Sequence, residues 1–190
     1  MADTRFKGKQ VVVTGGGAGI GRAISKRLAA EGAKVAIFER EIDAAKRVAE
    51  EIQADSGQAS CVEVDVSSEV SVNEAFESLD SLDVLINNAG IASVGNVEAT
   101  TGEEMDRVYA VNVKGVFNCA RAAIPKLREA GKGVILNMAS IASYLGISHR
   151  PVNLKDISGP LASPHTSQCE GPSRQTISPL HRLGLASTPI

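Results

Sequence analysis

A run of glycines between a buried strand and a helix constrains this chain more than any other feature. The apolar run Gln10–Thr14 is typical of a buried strand, and apolar residues recur at helical spacing over residues 20–31. Between them, Gly15 allows a tight turn, Gly19 lets a ligand approach the backbone, and Gly21 lets the helix pack closely on the strand. The segment therefore predicts a strand–turn–helix unit whose turn faces a ligand.

Strand and helix patterns alternate along the first three quarters of the chain. Further strands are predicted at residues 34–38, 59–64, 84–86 and 134–136. Helices are predicted at residues 42–54, 69–79 and 103–130, with a break near Val111 in the last. This alternation predicts an α/β fold of the Rossmann type, a doubly wound parallel sheet with strand order 3-2-1-4-5.

The predicted ligand of the glycine-rich turn is a dinucleotide. The start of a helix offers unpaired N–H groups and the positive end of the helix dipole to an anion such as a pyrophosphate. A mononucleotide P-loop is excluded, because no Gly-Lys-Ser/Thr follows. A plain turn is the alternative that the glycines alone leave open. The candidate cofactor-binding residues of the turn are Gly15, Gly17, Gly19, Ile20 and Gly21.

Glu39 ends the second predicted strand and is a candidate for binding a ribose. An acid at this place accepts hydrogen bonds from both ribose hydroxyls and repels a 2′-phosphate, which favours NAD over NADP. The positive charge of the neighbouring Arg40 favours NADP instead. A solvated acid after a strand is the simpler alternative.

The pattern T-G-x-x-x-G-x-G at residues 14–21, together with Asn-Asn-Ala-Gly at residues 87–90, resembles the short-chain dehydrogenase/reductase family over residues 7–146. The resemblance implies hydride transfer between NAD(P) and a small alcohol or carbonyl substrate. It also implies a homo-oligomer.

The resemblance further implies roles for individual residues. Asp65 and Val66 match an adenine-contacting pair, and Asn88, Ala89 and Gly90 match a segment lining the adenosine ribose. Asn87 matches a residue that braces the sheet. The two candidate catalytic residues are Asn112, which matches an asparagine that anchors a water in a proton relay, and Ser140, which matches a serine that binds the substrate carbonyl. A helix kink and a strand-end turn are the simpler interpretations of these two.

The family's proton donor is a tyrosine followed four residues later by a lysine, and this pair is missing from the chain. The expected positions hold Asn153 and Ile157. Tyr109 and Tyr144 are not followed by a lysine at that spacing. The lysine normally lowers the pKa of the phenol so that its proton can move. We therefore expect weak or absent turnover, and the chain acting as a non-catalytic dinucleotide binder or a non-functional truncated isoform is the alternative.

Residues 150–190 differ in character from residues 1–149, which form the predicted NAD(P)-binding domain. Six of the seven prolines lie after residue 149, and apolar periodicity disappears there. We interpret this irregular Pro/Ser-rich tail as unrelated to the family, arising from a shifted reading frame or an alternative exon. The fifth strand is then expected to have an unpaired edge. The helix over residues 112–130 is expected to expose an apolar face, which compromises the family oligomer.

Composition excludes several other classes of function. The net charge of −2 and the lack of a long apolar run argue against nucleic-acid and membrane partners. Three scattered cysteines favour a reducing, cytoplasmic location. The three histidines lack the close spacing of metal ligands, so no metal site is expected. Ser140 does not lie in a G-x-S-x-G elbow, which argues against a serine hydrolase.

Overall fold

The computed structural model of the chain describes residues 4–93 and 98–140 and the backbone of two residues in the tail. Strands and helices alternate through the described part, as the sequence predicts. The strands are β1 (Gln10–Thr14), β2 (Lys34–Glu39), β3 (Gln58–Glu63), β4 (Val84–Asn87), β5 (Val134–Asn137) and β6 (Ser167–Gln168). The helices are α1 (Gly19–Ala30), α2 (Ile42–Ala54), α3 (Glu69–Glu77), α4 (Gly102–Tyr109) and α5 (Gly115–Glu129).

The first five strands form a parallel sheet in the order β3-β2-β1-β4-β5, which confirms the predicted topology. The chain moves outward from β1 to β3 and then returns to the other side of β1 with β4. The strand order therefore reverses between β1 and β4. In open α/β sheets, ligands bind in the crevice at the carboxyl ends of the strands where this reversal occurs.

The two faces of the sheet carry separate apolar cores, because side chains alternate along each buried strand. Val11 and Val13 face α1 and α2, whereas Val12 packs with α3 and α5. On the second face the rings of Phe38 and Phe76 meet edge to face, with centroids 5.2 Å apart. A sheet covered on both sides explains why β1 reads as a continuous apolar run.

The long helical region predicted over residues 103–130 consists of three parts. A π-helical turn, Ala110–Lys114, separates α4 from α5 and confirms the predicted break near Val111. Such turns occur mostly inside longer helices and often lie at functional sites. On α5, the exposed Phe117 and Ile124 confirm the predicted apolar surface. In the described part of the chain, no helix combines the length and the apolar character that crossing a membrane requires.

The prediction of an unpaired edge on the fifth strand is wrong over two residues. β6 pairs antiparallel with β5, placing Gln168 opposite Val134 and Ser167 opposite Ile135. The partner strand comes from the tail. The sequence did not predict it, because two residues are too few to show the alternation of a strand. The proposed domain boundary at residue 149 and the positions of Asn153 and Ile157 lie outside the described residues.

Candidate functional site

A cleft of about 440 Å³ lies at the carboxyl ends of the strands, where the strand order reverses. Its walls come from the glycine-rich turn and from the residues that follow β2, β3 and β4. Most of the predicted cofactor-binding residues meet there, although they are far apart in the sequence. The lining comprises Gly15, Ala18, Gly19, Ile20, Gly21, Phe38, Glu39, Arg40, Val64, Asp65, Val66, Asn88, Ala89, Gly90, Ile91 and Val111.

The glycine-rich turn needs glycine at two of the predicted positions for steric reasons. Gly15 has a φ of +63°, and a Cβ there would lie 2.9 Å from the Cα of Ala89. A Cβ on Gly21 would overlap the carbonyl oxygen of Gly15 and would lie 2.5 Å from the Nδ2 of Asn88. The turn is therefore packed tightly against the end of β4 and against its own helix.

The start of α1 presents backbone N–H groups to the cleft without competing side chains. Ala18 precedes the helix and provides no side-chain cap, and the first turn contains no acidic residue. Gly19 opens the helix with a φ of +51° and has open space beside it. Unpaired amides and the positive end of the helix dipole favour a bound anion at this place.

Glu39 is held by backbone amides at the end of β2. Its Oε2 accepts a hydrogen bond from the N–H of Gly17 at 3.0 Å, and its Oε1 accepts one from the N–H of Arg40 at 3.0 Å. Gly17 itself does not line the cleft, since it lies against Glu39 and Ala44. The carboxylate thus has a fixed position in the cleft wall and retains acceptor capacity for a further donor.

Thr14 and Asn88 join the ends of β1 and β4. The Oγ1 of Thr14 accepts hydrogen bonds from the N–H groups of Asn88 and Ala89, both at 3.0 Å. The Nδ2 of Asn88 donates to the carbonyl oxygens of Thr14 and Gly15, at 3.0 and 3.1 Å. The side chain of Asn88 therefore holds the glycine-rich turn in addition to lining the cleft. The sequence did not indicate this role of Thr14, because no local pattern shows which strand end its hydroxyl contacts.

Asn87 braces the sheet, as the resemblance implies. Its Nδ2 donates to the Oδ1 of Asn137 at 2.9 Å, and the two residues lie opposite one another on β4 and β5. This side-chain pair links the two strands at the edge that carries the cleft.

Asp65 and Val66 occupy a turn after β3 that is anchored from two helices. The Oδ1 of Asp65 accepts hydrogen bonds from the N–H of Ser67 at 2.9 Å and from its Oγ at 2.6 Å. The carbonyl oxygen of Val66 accepts a hydrogen bond from the Nδ2 of Asn118 on α5 at 3.0 Å. The sequence did not indicate Asn118 as a site residue, because the only signal is a polar residue on the buried stripe of an amphipathic helix.

The two predicted catalytic residues lie beyond the cleft lining. The Oδ1 of Asn112 accepts a hydrogen bond from the N–H of Ile91, and its Nδ2 donates to the carbonyl oxygen of Ile91, both at 2.8 Å. Its side chain is buried and clamps the π-helical turn to the segment after β4. Ser140 is half-buried at the end of the described part that follows β5.

The cleft can bind an anion and hydroxyl groups, because it combines the amides at the start of α1 with two carboxylates. Within residues 4–93 and 98–140, no cluster of three or more His, Cys, Asp or Glu side chains could hold a metal ion.

Comparisons with known proteins relate this geometry to one family. A family model described as short chain dehydrogenase matches residues 9–152. An uncharacterized oxidoreductase from Thermotoga maritima is 40% identical over 149 residues, which cover 77% of this chain and 59% of that protein. Meso-2,3-butanediol dehydrogenase from Serratia marcescens is 39% identical over 146 residues, covering 75% and 57% of the two chains. The chain thus spans less than two thirds of the length of these curated relatives.

Solved structures share the fold. A short-chain type dehydrogenase/reductase from Mycobacterium marinum matches with a TM-score of 0.77 and 31% identity, over 82% of this chain and 65% of that one. A 7α-hydroxysteroid dehydrogenase complexed with NADH and 7-oxo glycochenodeoxycholic acid matches with a TM-score of 0.73 and 32% identity, over 77% and 59% of the two chains.

Proposed function

The chain belongs to the short-chain dehydrogenase family, and from that premise we propose that it binds NAD in the cleft between β1 and β4. The parent activity that we infer is reversible hydride transfer between the nicotinamide and a small alcohol or carbonyl substrate. The observation that carries the proposal is the start of α1. There, uncapped amides meet a tight glycine turn at the point where the strand order reverses.

The residues of the cleft have the chemistry that a dinucleotide requires. We assign Gly15, Gly19, Ile20 and Gly21 to the pyrophosphate, because they form the turn and the start of the helix. Gly17 contributes indirectly, since its amide is bonded to Glu39.

We assign the remaining lining residues to the adenosine half of the cofactor. Glu39 would bind the ribose, and Ala89 and Gly90, with the backbone of Asn88, would line it. Asp65 and Val66 would contact the adenine. When bound, NAD supplies the hydride acceptor, and the protein residues hold and orient it.

We propose that NAD is preferred over NADP because of the fixed carboxylate of Glu39. A 2′-phosphate placed beside this carboxylate would meet a like charge that three backbone amides keep in position. Arg40 lines the same cleft but is exposed, and its Nε lies 3.6 Å from the Oε1 of Glu41. Solvent and this acidic neighbour therefore weaken its attraction for a 2′-phosphate.

We further propose that turnover by this chain is lost or very low. Asn112 would support the proton relay and Ser140 would bind the substrate carbonyl, but Asn153 and Ile157 stand where the tyrosine and lysine are expected. Neither side chain can deliver a proton near neutral pH. A non-catalytic NAD-binding protein is therefore the second candidate function, and the absence of the Tyr-x-x-x-Lys pair favours it.

A comparison of NADH and NADPH binding, combined with a turnover assay, tests these assignments. We expect the full chain to bind NADH about tenfold more tightly than NADPH, since placing like charges in contact costs on the order of 1 kcal/mol or more. Glu39→Gln should narrow this preference, whereas Glu74→Gln, which removes an exposed acid on α3 away from the cleft lining, should leave it unchanged. Equal binding of the two cofactors by the parent would contradict the NAD assignment. Alcohol-dependent NADH formation that Ser140→Ala abolishes would contradict the loss of turnover.

A further inference from the structure

Asn118 is a buried polar side chain that neither the glycine-rich turn nor the catalytic motif explains. It lies on the buried stripe of α5, which otherwise consists of Gly115, Cys119, Ala123 and Leu127. Only 3% of its surface is exposed. Burying an amide is costly unless it is hydrogen-bonded. Its Nδ2 is bonded to the carbonyl oxygen of Val66, 52 residues away in the sequence.

A second contact joins α5 to the same residue. Gly115 lies one helical turn before Asn118, and a Cβ on Gly115 would lie 2.8 Å from the Cγ2 of Val66. The missing side chain lets the helix approach the turn after β3 closely enough for the Asn118 hydrogen bond. The helix therefore determines the position of Val66 through both a hydrogen bond and a close contact.

The other side of the turn is anchored independently of α5. The N–H of Asp65 donates to the Oγ of Ser71 on α3 at 3.1 Å, and Ser67 binds the Oδ1 of Asp65. Asp65 is thus held from α3, and Val66 is held from α5. Both residues line the cleft.

We propose that Asn118 is a positioning residue for base recognition, and that it keeps Asp65 and Val66 placed to recognise an amino-purine. This inference rests on the proposed binding of NAD. A carboxylate beside a backbone amide matches adenine, whose exocyclic amine is a donor and whose ring nitrogens are acceptors. A purine with a 6-oxo group presents an acceptor to the same carboxylate and is rejected.

Binding of NADH and of nicotinamide hypoxanthine dinucleotide, its deaminated analogue, tests this role without any assay of turnover. The parent chain should bind NADH about tenfold more tightly than the analogue, the factor expected for one hydrogen bond to a charged group. Asn118→Leu keeps the number and branching of the side-chain heavy atoms but removes the donor, and it should bring the ratio of the two Kd values close to one. Leu127→Val, a buried change on the same helix that lies against Gly133, should leave the ratio at the parental value.

Gly115→Ala provides a second route to the same result. It keeps the helix and every hydrogen-bonding group but pushes Val66 away, so it too should reduce the discrimination. If Asn118→Leu fails to fold, the comparison of the two dinucleotides is made with Gly115→Ala alone. Undiminished discrimination in either folded variant, or a parent chain that binds both dinucleotides equally, would overturn the inference. A parent chain that binds neither dinucleotide would instead refute the proposed function on which the inference rests.

Discussion

The two parts of the proposed site, the adenosine end in the cleft and the catalytic end beyond the cleft lining, are built in different ways. At the adenosine end, the glycine-rich turn, Glu39 and Asp65 come from three adjacent strands, and hydrogen bonds to the backbone fix the polar groups. At the catalytic end, Asn112 is committed to clamping Ile91, and Ser140 lies outside the cleft lining. The positions expected to hold the tyrosine and lysine carry Asn153 and Ile157.

This difference separates binding from chemistry within one fold. The adenosine end depends on backbone geometry and short side chains, which the first two thirds of the chain supply. The hydride transfer that we propose as the parent activity requires one particular proton donor at one particular place. A chain can therefore retain the binding half of the site while it lacks the reactive half.

Adding a side-chain carbon to the glycine-rich turn should have the largest effect, because it acts on cofactor binding at the adenosine end. In Gly21→Ala the new Cβ overlaps the carbonyl oxygen of Gly15. We expect NADH affinity to fall about a hundredfold, because overpacking of this kind costs about 3 kcal/mol. Fluorescence titration with NADH measures the change. Gly102→Ala is the matched control, since a Cβ there meets no atom within 4 Å, and it should bind NADH like the parent.

Removing the hydroxyl of Thr14 should have the next largest effect, on stability. Thr14→Val removes the acceptor of the Ala89 N–H, whereas the N–H of Asn88, which shares that acceptor, keeps a second one in the carbonyl oxygen of Ile86. We expect the free energy of unfolding to fall by about 2 kcal/mol, chiefly the cost of leaving the half-buried N–H of Ala89 without its partner. Urea denaturation followed by circular dichroism measures it. Thr14→Ser keeps the hydroxyl and should retain most of the stability that Thr14→Val loses. A Ser variant as unstable as the Val variant would refute the role of this hydroxyl.

At the catalytic end, Asn112→Leu should cost about 2 kcal/mol of stability, because both backbone groups of Ile91 lose a buried partner. The discrimination between NADH and its deaminated analogue should persist, since the adenosine end is anchored elsewhere. Denaturation and dinucleotide titration of the same sample check both results. Asn73→Leu, an exposed change on α3, should alter neither. A collapse of base discrimination in Asn112→Leu would show that the two ends are not independent.

The smallest expected effect is a fall in the free energy of unfolding at alkaline pH, caused by the buried thiol of Cys119 on α5. Burial raises the pKa of Cys119 to about 12, from an ordinary value of 9.0. Between these values the folded chain retains a proton that the unfolded chain releases, so stability falls as the pH rises above 9. The expected loss is about 1 kcal/mol by pH 10. Cys119→Ala should flatten this slope in denaturation series at pH 8–10, and an unchanged slope would exclude Cys119 as its source.

The sequence predicted the sheet order, the glycine-rich turn and the break near Val111, because strand–helix alternation and glycine geometry are local signals. It did not predict the contacts between distant segments. The bonds of Asn118 to Val66 and of Glu39 to Gly17 depend on which faces meet after folding. Asn88 was assigned only to the ribose wall, yet its side chain also holds the turn. The pairing of β6 was missed because two residues carry no periodicity.

Equilibrium titration of the full chain with NADH, combined with a thermal melt of the same sample, tests the central claim most directly. We predict saturable one-to-one binding that raises the melting temperature, because a ligand that binds only the folded state stabilises it. Gly21→Ala should move the titration to about hundredfold higher NADH concentrations and reduce the rise in melting temperature at a given concentration. A cooperatively folded chain that shows neither saturable binding nor a shifted melt would contradict the assignment of the cleft to a dinucleotide.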